Sequence, residues 1–402
     1  MDMTDPISFD EAKPTGRARK ALLRRLVDYV AMPASGVAPQ DRALGGDILL
    51  DMLFHATDSE RKLCAERLAQ MREAPRRVLR YLAQCSFDVA EPLLAQNEAF
   101  DASDLGQLIN RVSAQHRVVI AGRKSVPPAV GDQLVEHKEQ PVIDRLLKNR
   151  GAELSEYSLD LIVAMSRKNP QSCGLILERP ELRPAQAMAM FWWADSQGRR
   201  AILQRFAADR NDMIKLCSDI FTLAADEDWQ DPVVRKTLQL IERRQRNRAA
   251  IEKSPFESLE QAIGDSATAG LEPSASAEIG YLAGIKPITI AKIFTDPGGE
   301  GLSVLCKATG LKRDSLLRLW QGLGRQAKQD DGTPHPAYKR IEDTFDLLSV
   351  AKAQTTLRYW NWSLSSAYSP ARSAGADFDD EAANDDVTFS TPRRTAKLVF
   401  GK

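Results

Sequence analysis

No apolar run of about 18 residues, the length that a membrane-crossing helix requires, occurs anywhere in the chain. An ordinary transmembrane helix is therefore not expected. An excess of charge of one sign is lacking too. Lys and Arg total 55 and Asp and Glu total 55, so no global field draws the protein toward nucleic acid or membrane. Histidine is scarce: His55, His116, His137 and His335 stand apart from one another and from cysteine, and no zinc-site spacing results. Cys64, Cys85, Cys173, Cys217 and Cys306 form no C-x-x-C pair, the usage of a reducing compartment. The opening stretch MDMTDPISFDEAKPTGRARK begins acidic and has no apolar centre, so it is not read as a signal peptide, and the cytoplasm is the expected location. There is no G-x-S-x-G, no H-E-x-x-H and no dinucleotide fingerprint. Gly122 to Ser125 ends like a phosphate loop but lacks the upstream glycine and the preceding strand. No catalytic residue, metal or cofactor is expected, and the chain is read as non-enzymatic.

What the chain does contain is a repeat. Val126, Leu154 and Leu182 are 28 residues apart, as are Leu134, Ile162 and Met190; Val135, Val163 and Phe191; and Leu147, Leu175 and Leu203. An earlier unit from Phe100, with Leu108 and Ile109, fits the same frame but is about two residues shorter. A period of this size marks supersecondary units that bury their apolar faces only by stacking. In the unit 126–153, Pro127 and Pro128 open one helix carrying Val130, Leu134 and Val135. Pro141 starts a second, with Val142, Ile143, Leu146 and Leu147 on one stripe, and Gly151 follows its end. Ser155 is positioned to cap the next helix. The expectation is an all-α fold: an α-solenoid of short helix pairs, HEAT- or armadillo-like, with Leu134, Ile162, Leu147, Leu175 and Leu203 buried.

Residues 1–15 are read as a loose tail and 16–252 as the solenoid. Within it, Leu22, Leu23, Leu26 and Val30, then Leu49, Leu50, Leu53 and Phe54, then Leu63, Leu68 and Met71 form successive inward stripes. Asp58 or Ser59 caps the third of these helices. Residues 254–330 form a small helical domain, within which a short helix with Phe256, Leu259 and Ile263 is followed by a linker or long loop at 264–276, rich in Ala, Ser, Gly and Thr. One C-terminal helix occupies about 337–358 within 331–366, and 367–402 carries an acidic block and then a basic end, a composition that supports no core.

Three segments carry a resemblance. Ala121 to Pro127 reads A-x-R-x-x-x-P, Asp132 to Glu136 reads D-x-L-V-E, and Asn149 to Ser155 reads N-x-G-A-E-L-S. Together they resemble a bacterial family known as domain of unknown function 2336, over Ala74 to Arg210. The segment Asp296 to Leu311, DPGGEGLSVLCKATGL, resembles the later part of that family, extending the likeness to Gly324. The resemblance implies a helical repeat domain and supplies no catalytic residue.

Two surfaces are candidates for a partner. The third repeat carries Phe191, Trp192 and Trp193 where its predecessors need only the first position, so Trp192 and Trp193 are assigned to a protein-partner site, with at least one indole partly exposed. Asp231-Pro232 opens a helix whose Arg235, Lys236, Arg243 and Arg246 project into one arc, and Arg235, Arg243 and Arg246 join the same candidate site. An alternative function is a DNA-binding regulator: Leu302 to Leu323 resembles a helix-turn-helix, with Lys312, Arg313 and Arg318 toward the groove. A more distant alternative is a HEAT-like DNA glycosylase using Trp and Asp195. The favoured expectation is an interaction scaffold or adaptor for another protein.

Overall fold

The computed structural model describes residues 16–33, 36–207 and 254–366, together with 231, 232 and 252. Among these residues there are twenty α-helices, one 3-10 turn and no strand. The chain divides into two compact units whose boundary follows Leu161.

The first unit is a succession of short helices punctuated as the sequence dictates. They are α1 (Gly16–Val30), α2 (Pro39–Phe54), α3 (Asp58–Leu68), α4 (Arg76–Leu82), α5 (Phe87–Gln96), α6 (Ala102–Ile109), α7 (Ala114–Ala121), α8 (Pro128–Glu136) and α9 (Gln140–Lys148), with α10 (Glu156–Ser166) running across the boundary. Proline occupies the first turn of α2, α8 and α9, where its missing N–H costs nothing. Capping boxes close the starts of α3 and α6, through Thr57 with Glu60 and Asp101 with Asp104. The cap of α3 is thus Thr57 and not Asp58 or Ser59, because Glu60 reaches back to the Thr57 amide.

Helices of like parity meet. Contacts join α1 to α3, α3 to α5, α5 to α7 and α7 to α9, and also α2 to α4 and α6 to α8. Apolar columns line these contacts: Leu134, Val135 and Val126 are at most 1% exposed, and Leu147 and Leu154 are buried. Polar joints reinforce them. The buried Asn97 donates from Nδ2 to the Leu68 and Met71 carbonyls at 2.8 and 3.0 Å. Arg123 donates to the Leu94 and Asn97 carbonyls at 2.5 and 2.7 Å, and Asn149 to those of Ala121 and Arg123 at 2.9 and 2.7 Å. Each of these side chains satisfies carbonyls that end a helix some 26–29 residues earlier, where no intrahelical partner exists.

Three apolar side chains expected inside are outside. Leu22, Phe54 and Leu63 are 52%, 53% and 39% exposed, while Leu23, Val27, Val30, Leu49 and Leu53 take the core. The helix stripes are narrower than the runs of apolar residues, so the flanking member of each run is left on the surface.

In the second unit, α11 (Cys173–Leu177), α12 (Pro184–Met190) and α13 (Ser196–Phe206) continue the pattern. Ile162, Val163, Met190, Phe191 and Leu203 are buried. Leu175 is only half-buried, contrary to expectation, and Ile176 takes the interior place. A 3-10 turn over Pro170–Ser172 precedes α11 and rotates its inward face onto Cys173 and Ile176. Arg205 repeats the joint seen in the first unit, donating to the Leu177 and Arg179 carbonyls at 2.7 and 3.1 Å, 28 and 26 residues earlier.

The later helices of this unit are Leu259–Ala269, Pro273–Ala283, Pro287–Thr295, Glu300–Thr309, Arg313–Gly322, Pro336–Leu347 and Val350–Ser366. The stretch 264–276 is therefore not a linker. Ser258 caps the Leu259 helix at the Gln261 amide, Ala262 and Ile263 anchor it, and it stops only at Gly270, where φ is +90°. The single helix expected at 337–358 is two. Leu348 is extended (φ −87°, ψ 133°), and the Ser349 hydroxyl accepts from the Lys352 amide to start the next helix. Val350–Ser366 packs on Glu300–Thr309, which also contacts Pro336–Leu347. No described helix is long and apolar enough to cross a membrane.

Candidate interaction site

Phe191, Trp192 and Trp193 do not ride on a helix interior. Helix α12 ends at Met190, and the next residues form a turn in which the Trp192 and Trp193 amides donate to the Ala189 and Met190 carbonyls, a three-residue spacing. Phe191 and Trp192 are both turned inward all the same, each against a covering ring. Phe191 is fully buried and Trp192 is 7% exposed. Both rings meet Trp360, at centroid distances of 4.7 and 4.9 Å, in one aromatic cluster. Trp192 is thus a core residue, and its assignment to an accessible site is corrected. Trp193 is half-buried, and its indole N–H donates to the Ser166 hydroxyl at 2.9 Å. It keeps an accessible edge.

Cations gather around this cluster. Lys292 lies 5.5 Å from the Trp192 ring centroid, and Arg199 lies 5.1 Å from that of Phe191. Burial, and then the charge of Arg167, lower the Lys292 ammonium from its usual value. Arg199 belongs to a buried ion network. Its Nη1 donates to Asp296 at 2.6 Å and to Glu300 at 2.8 Å, and its Nε to the Ala194 carbonyl at 2.9 Å. Burial alone pulls the Arg199 guanidinium down, yet the two carboxylates outweigh it and the net direction is upward.

The loop Asp296-Pro-Gly-Gly-Glu300 shapes this network, and its two glycines are dictated by space. A Cβ on Gly298 would sit 2.2 Å from both Arg199 Nη1 and Glu300 Oε2. Gly299 has φ +82°, and a Cβ there would meet the Trp320 ring at 2.5 Å. The Gly299 amide donates to Asp296 at 3.0 Å. Arg325 closes the far side by donating to the Asp296 carbonyl at 2.7 Å and lying 4.8 Å from the Trp320 ring centroid. None of Arg199, Asp296, Glu300 and Arg325 is singled out by sequence pattern alone. The double glycine after an Asp-Pro was the available signal.

The hairpin weighed as a DNA reader is present as Glu300–Thr309 and Arg313–Gly322, turned by Gly310 at φ +78°. Lys312, Arg313 and Arg318 are exposed. Arg313 is engaged by both oxygens of Asp346 at 2.5 Å, and this carboxylate, through its hydrogen bond first and its charge second, raises the guanidinium further. Exposed Asp314 adds a second negative charge beside it. Arg235, Arg243 and Arg246 lie outside the described residues.

The three sequence segments that carry the family likeness converge on one joint in the first unit. Gly151 approaches so closely that a Cβ would lie 2.0 Å from the Lys124 carbonyl oxygen. Its amide donates to Asn149 Oδ1 at 2.9 Å, and its carbonyl accepts from the Val126 amide at 3.1 Å. The Ser155 hydroxyl caps α10 at the Ser158 amide and also donates to Asp132, which accepts from Ser158 Oγ at 2.6 Å. Arg123, Asp132, Asn149 and Ser155 all take part in this joint.

An all-helical protein, punctuated by proline and glycine and tied by side-chain-to-carbonyl joints, is the class these features define. The chain belongs to the family described as an uncharacterised protein conserved in bacteria, domain of unknown function 2336, whose model matches residues 89–358. Comparison with curated proteins and with solved structures yields no match.

Proposed function

We propose that the chain is a non-enzymatic binding scaffold, an α-solenoid of short helix pairs at a repeat of about 28 residues, which presents its surface to another protein in the cytoplasm. The recurring joint made by Asn97, Arg123, Asn149 and Arg205 carries this reading. Four side chains performing one task at nearly one spacing are what a stack of equivalent units requires, and such stacks offer extended surfaces for partners. The polar groups best placed for chemistry also have structural work. His116 is held between the Ser113 hydroxyl and the Cys85 carbonyl, and Asp132 and Glu300 hold the Ser155–Ser158 turn and Arg199.

Within this reading, the accessible edge of Trp193 is the partner contact, since a half-buried indole combines large area with a fixed orientation. Trp193→Ala should reduce recovery of partners when the full chain is affinity-purified from its native cells, with a melting curve close to wild type. Undiminished recovery would remove Trp193 from the site. The DNA-binding alternative has less support, because Asp346 already occupies Arg313. A gel shift with random duplex DNA at low salt distinguishes the two: the scaffold reading expects no complex, whereas a complex that weakens steeply with salt would favour the alternative.

A further inference from the structure

Helices α1 and α2 present an apolar surface that no described element covers. Of the ten large apolar side chains exposed among the described residues, seven fall between Leu22 and Leu63. Leu22, Leu26 and Tyr29 follow one another at i, i+4 and i+7, one stripe of α1. The Tyr29 ring lies on α2 at Gly45, where a Cβ would be 3.3 Å away. That seat places it beside Leu44 and Ile48, which are 63% and 46% exposed and sit one turn apart on α2. At 100° per residue, Arg19 and Arg25 flank the α1 stripe, and Asp41 and Asp51 flank the α2 stripe. None of these four is held in an ion pair among the described residues.

We infer that this face is the contact between two copies of this chain, related by a twofold axis that sets α1 of one copy against α2 of the other. A twofold interface is self-complementary: what residue i meets in the partner meets residue i in return. The α1–α2 face has that property. Its cationic flank and its acidic flank lie on different helices, so the crossed arrangement brings Arg19 and Arg25 toward carboxylates while Leu22 and Tyr29 cover Leu44 and Ile48. Placing α1 on α1 would instead oppose arginine with arginine. The same acidic flank disfavours an anionic membrane or an acidic peptide, which Asp41 and Asp51 would repel. The pairing is independent of the partner reading given above, which a monomeric chain would leave standing.

Sedimentation equilibrium of the full chain across micromolar concentrations tests the pairing. A species of twice the chain mass is expected. Leu44→Glu combined with Ile48→Glu should abolish it while the helical circular dichroism is retained, since both side chains are exposed. Arg19→Asp and Asp51→Arg should each raise the dimer dissociation constant by about tenfold, and the two together should restore it. A monomer at every concentration would overturn the inference, as would a dimer indifferent to Leu44→Glu with Ile48→Glu. Dimerisation that appears only after residues 1–15 are removed would assign the face to that segment and overturn it too. So would wild-type chain that stays monomeric and binds anionic vesicles.

Discussion

Gly151 and Gly174 make a matched pair at the scale of single residues. A Cβ at Gly151 would collide with the Lys124 backbone carbonyl, whereas nothing lies within 4 Å of one at Gly174. Gly151→Ala is expected to cost about 1–3 kcal/mol or more, as an overpacked site that backbone alone can relieve. Gly174→Ala should be neutral or stabilise by about 0.5–1 kcal/mol, because the position is an exposed helical one. Chemical denaturation of the two variants checks the contrast. Arg199 is the other decisive residue. Its side chain is 5% exposed and answers two carboxylates that are 0% and 4% exposed. Arg199→Met leaves both buried and unpaired, and a loss of about 3–5 kcal/mol is expected in the same denaturation assay. A loss below about 1 kcal/mol would mean that the carboxylates find water or neutralise themselves.

Between elements, the aromatic turn after α12 and the tie from α7 to the end of α4 matter most. Trp192→Ala should destabilise by about 3–5 kcal/mol, since the ring fills a cluster with Phe191 and Trp360. Trp193→Ala should cost only about 1 kcal/mol, the worth of its hydrogen bond to Ser166. Thermal melts of the two variants should therefore separate clearly. His116, on α7, ties that helix to the Cys85 carbonyl that follows α4. This bond requires a proton on Nε2 and leaves Nδ1 to accept from the Ser113 hydroxyl, which is the neutral ring. Burial holds its pKa below the usual 6.5. The unfolded chain then takes up the proton first as pH falls, so stability is full above 6.5 and declines from there down to the folded value. His116→Gln should remove that slope from the pH dependence of the denaturation midpoint. Glu139, held low by its hydrogen bonds to Arg117, contributes a separate loss only as pH falls below 4.5.

For the whole molecule, much of the helix inventory was legible in the sequence and the long-range polar framework was not. Proline and glycine mark helix ends by their own backbone chemistry, so Pro128 and Pro141 sit where the sequence placed boundaries, and Pro184, Pro287 and Gly310 mark ends of the same kind. Composition misled at 264–276, where small residues were compatible with a loop but also with a well-capped helix. Periodicity located the cores yet overfilled them at Leu22, Phe54 and Leu63, because a run of apolar residues does not say which flank solvent takes. The Arg199 network was invisible: its partners are 97 and 101 residues away, and no local pattern encodes such a pairing. Trp192 was misplaced for a related reason. Its covering ring, Trp360, lies far along the chain.

A stack of repeats communicates only between neighbours, and that is the claim on which the scaffold reading depends. Native-state hydrogen exchange of the full chain carrying Asn97→Ala measures it directly. The substitution removes the bonds to the Leu68 and Met71 carbonyls and should cost about 1–3 kcal/mol. Exchange is predicted to accelerate in α3 and α5, less in their neighbours α1 and α7, and not measurably in α9. Acceleration of equal size from α1 through α9, or none in α3 and α5, would contradict the account.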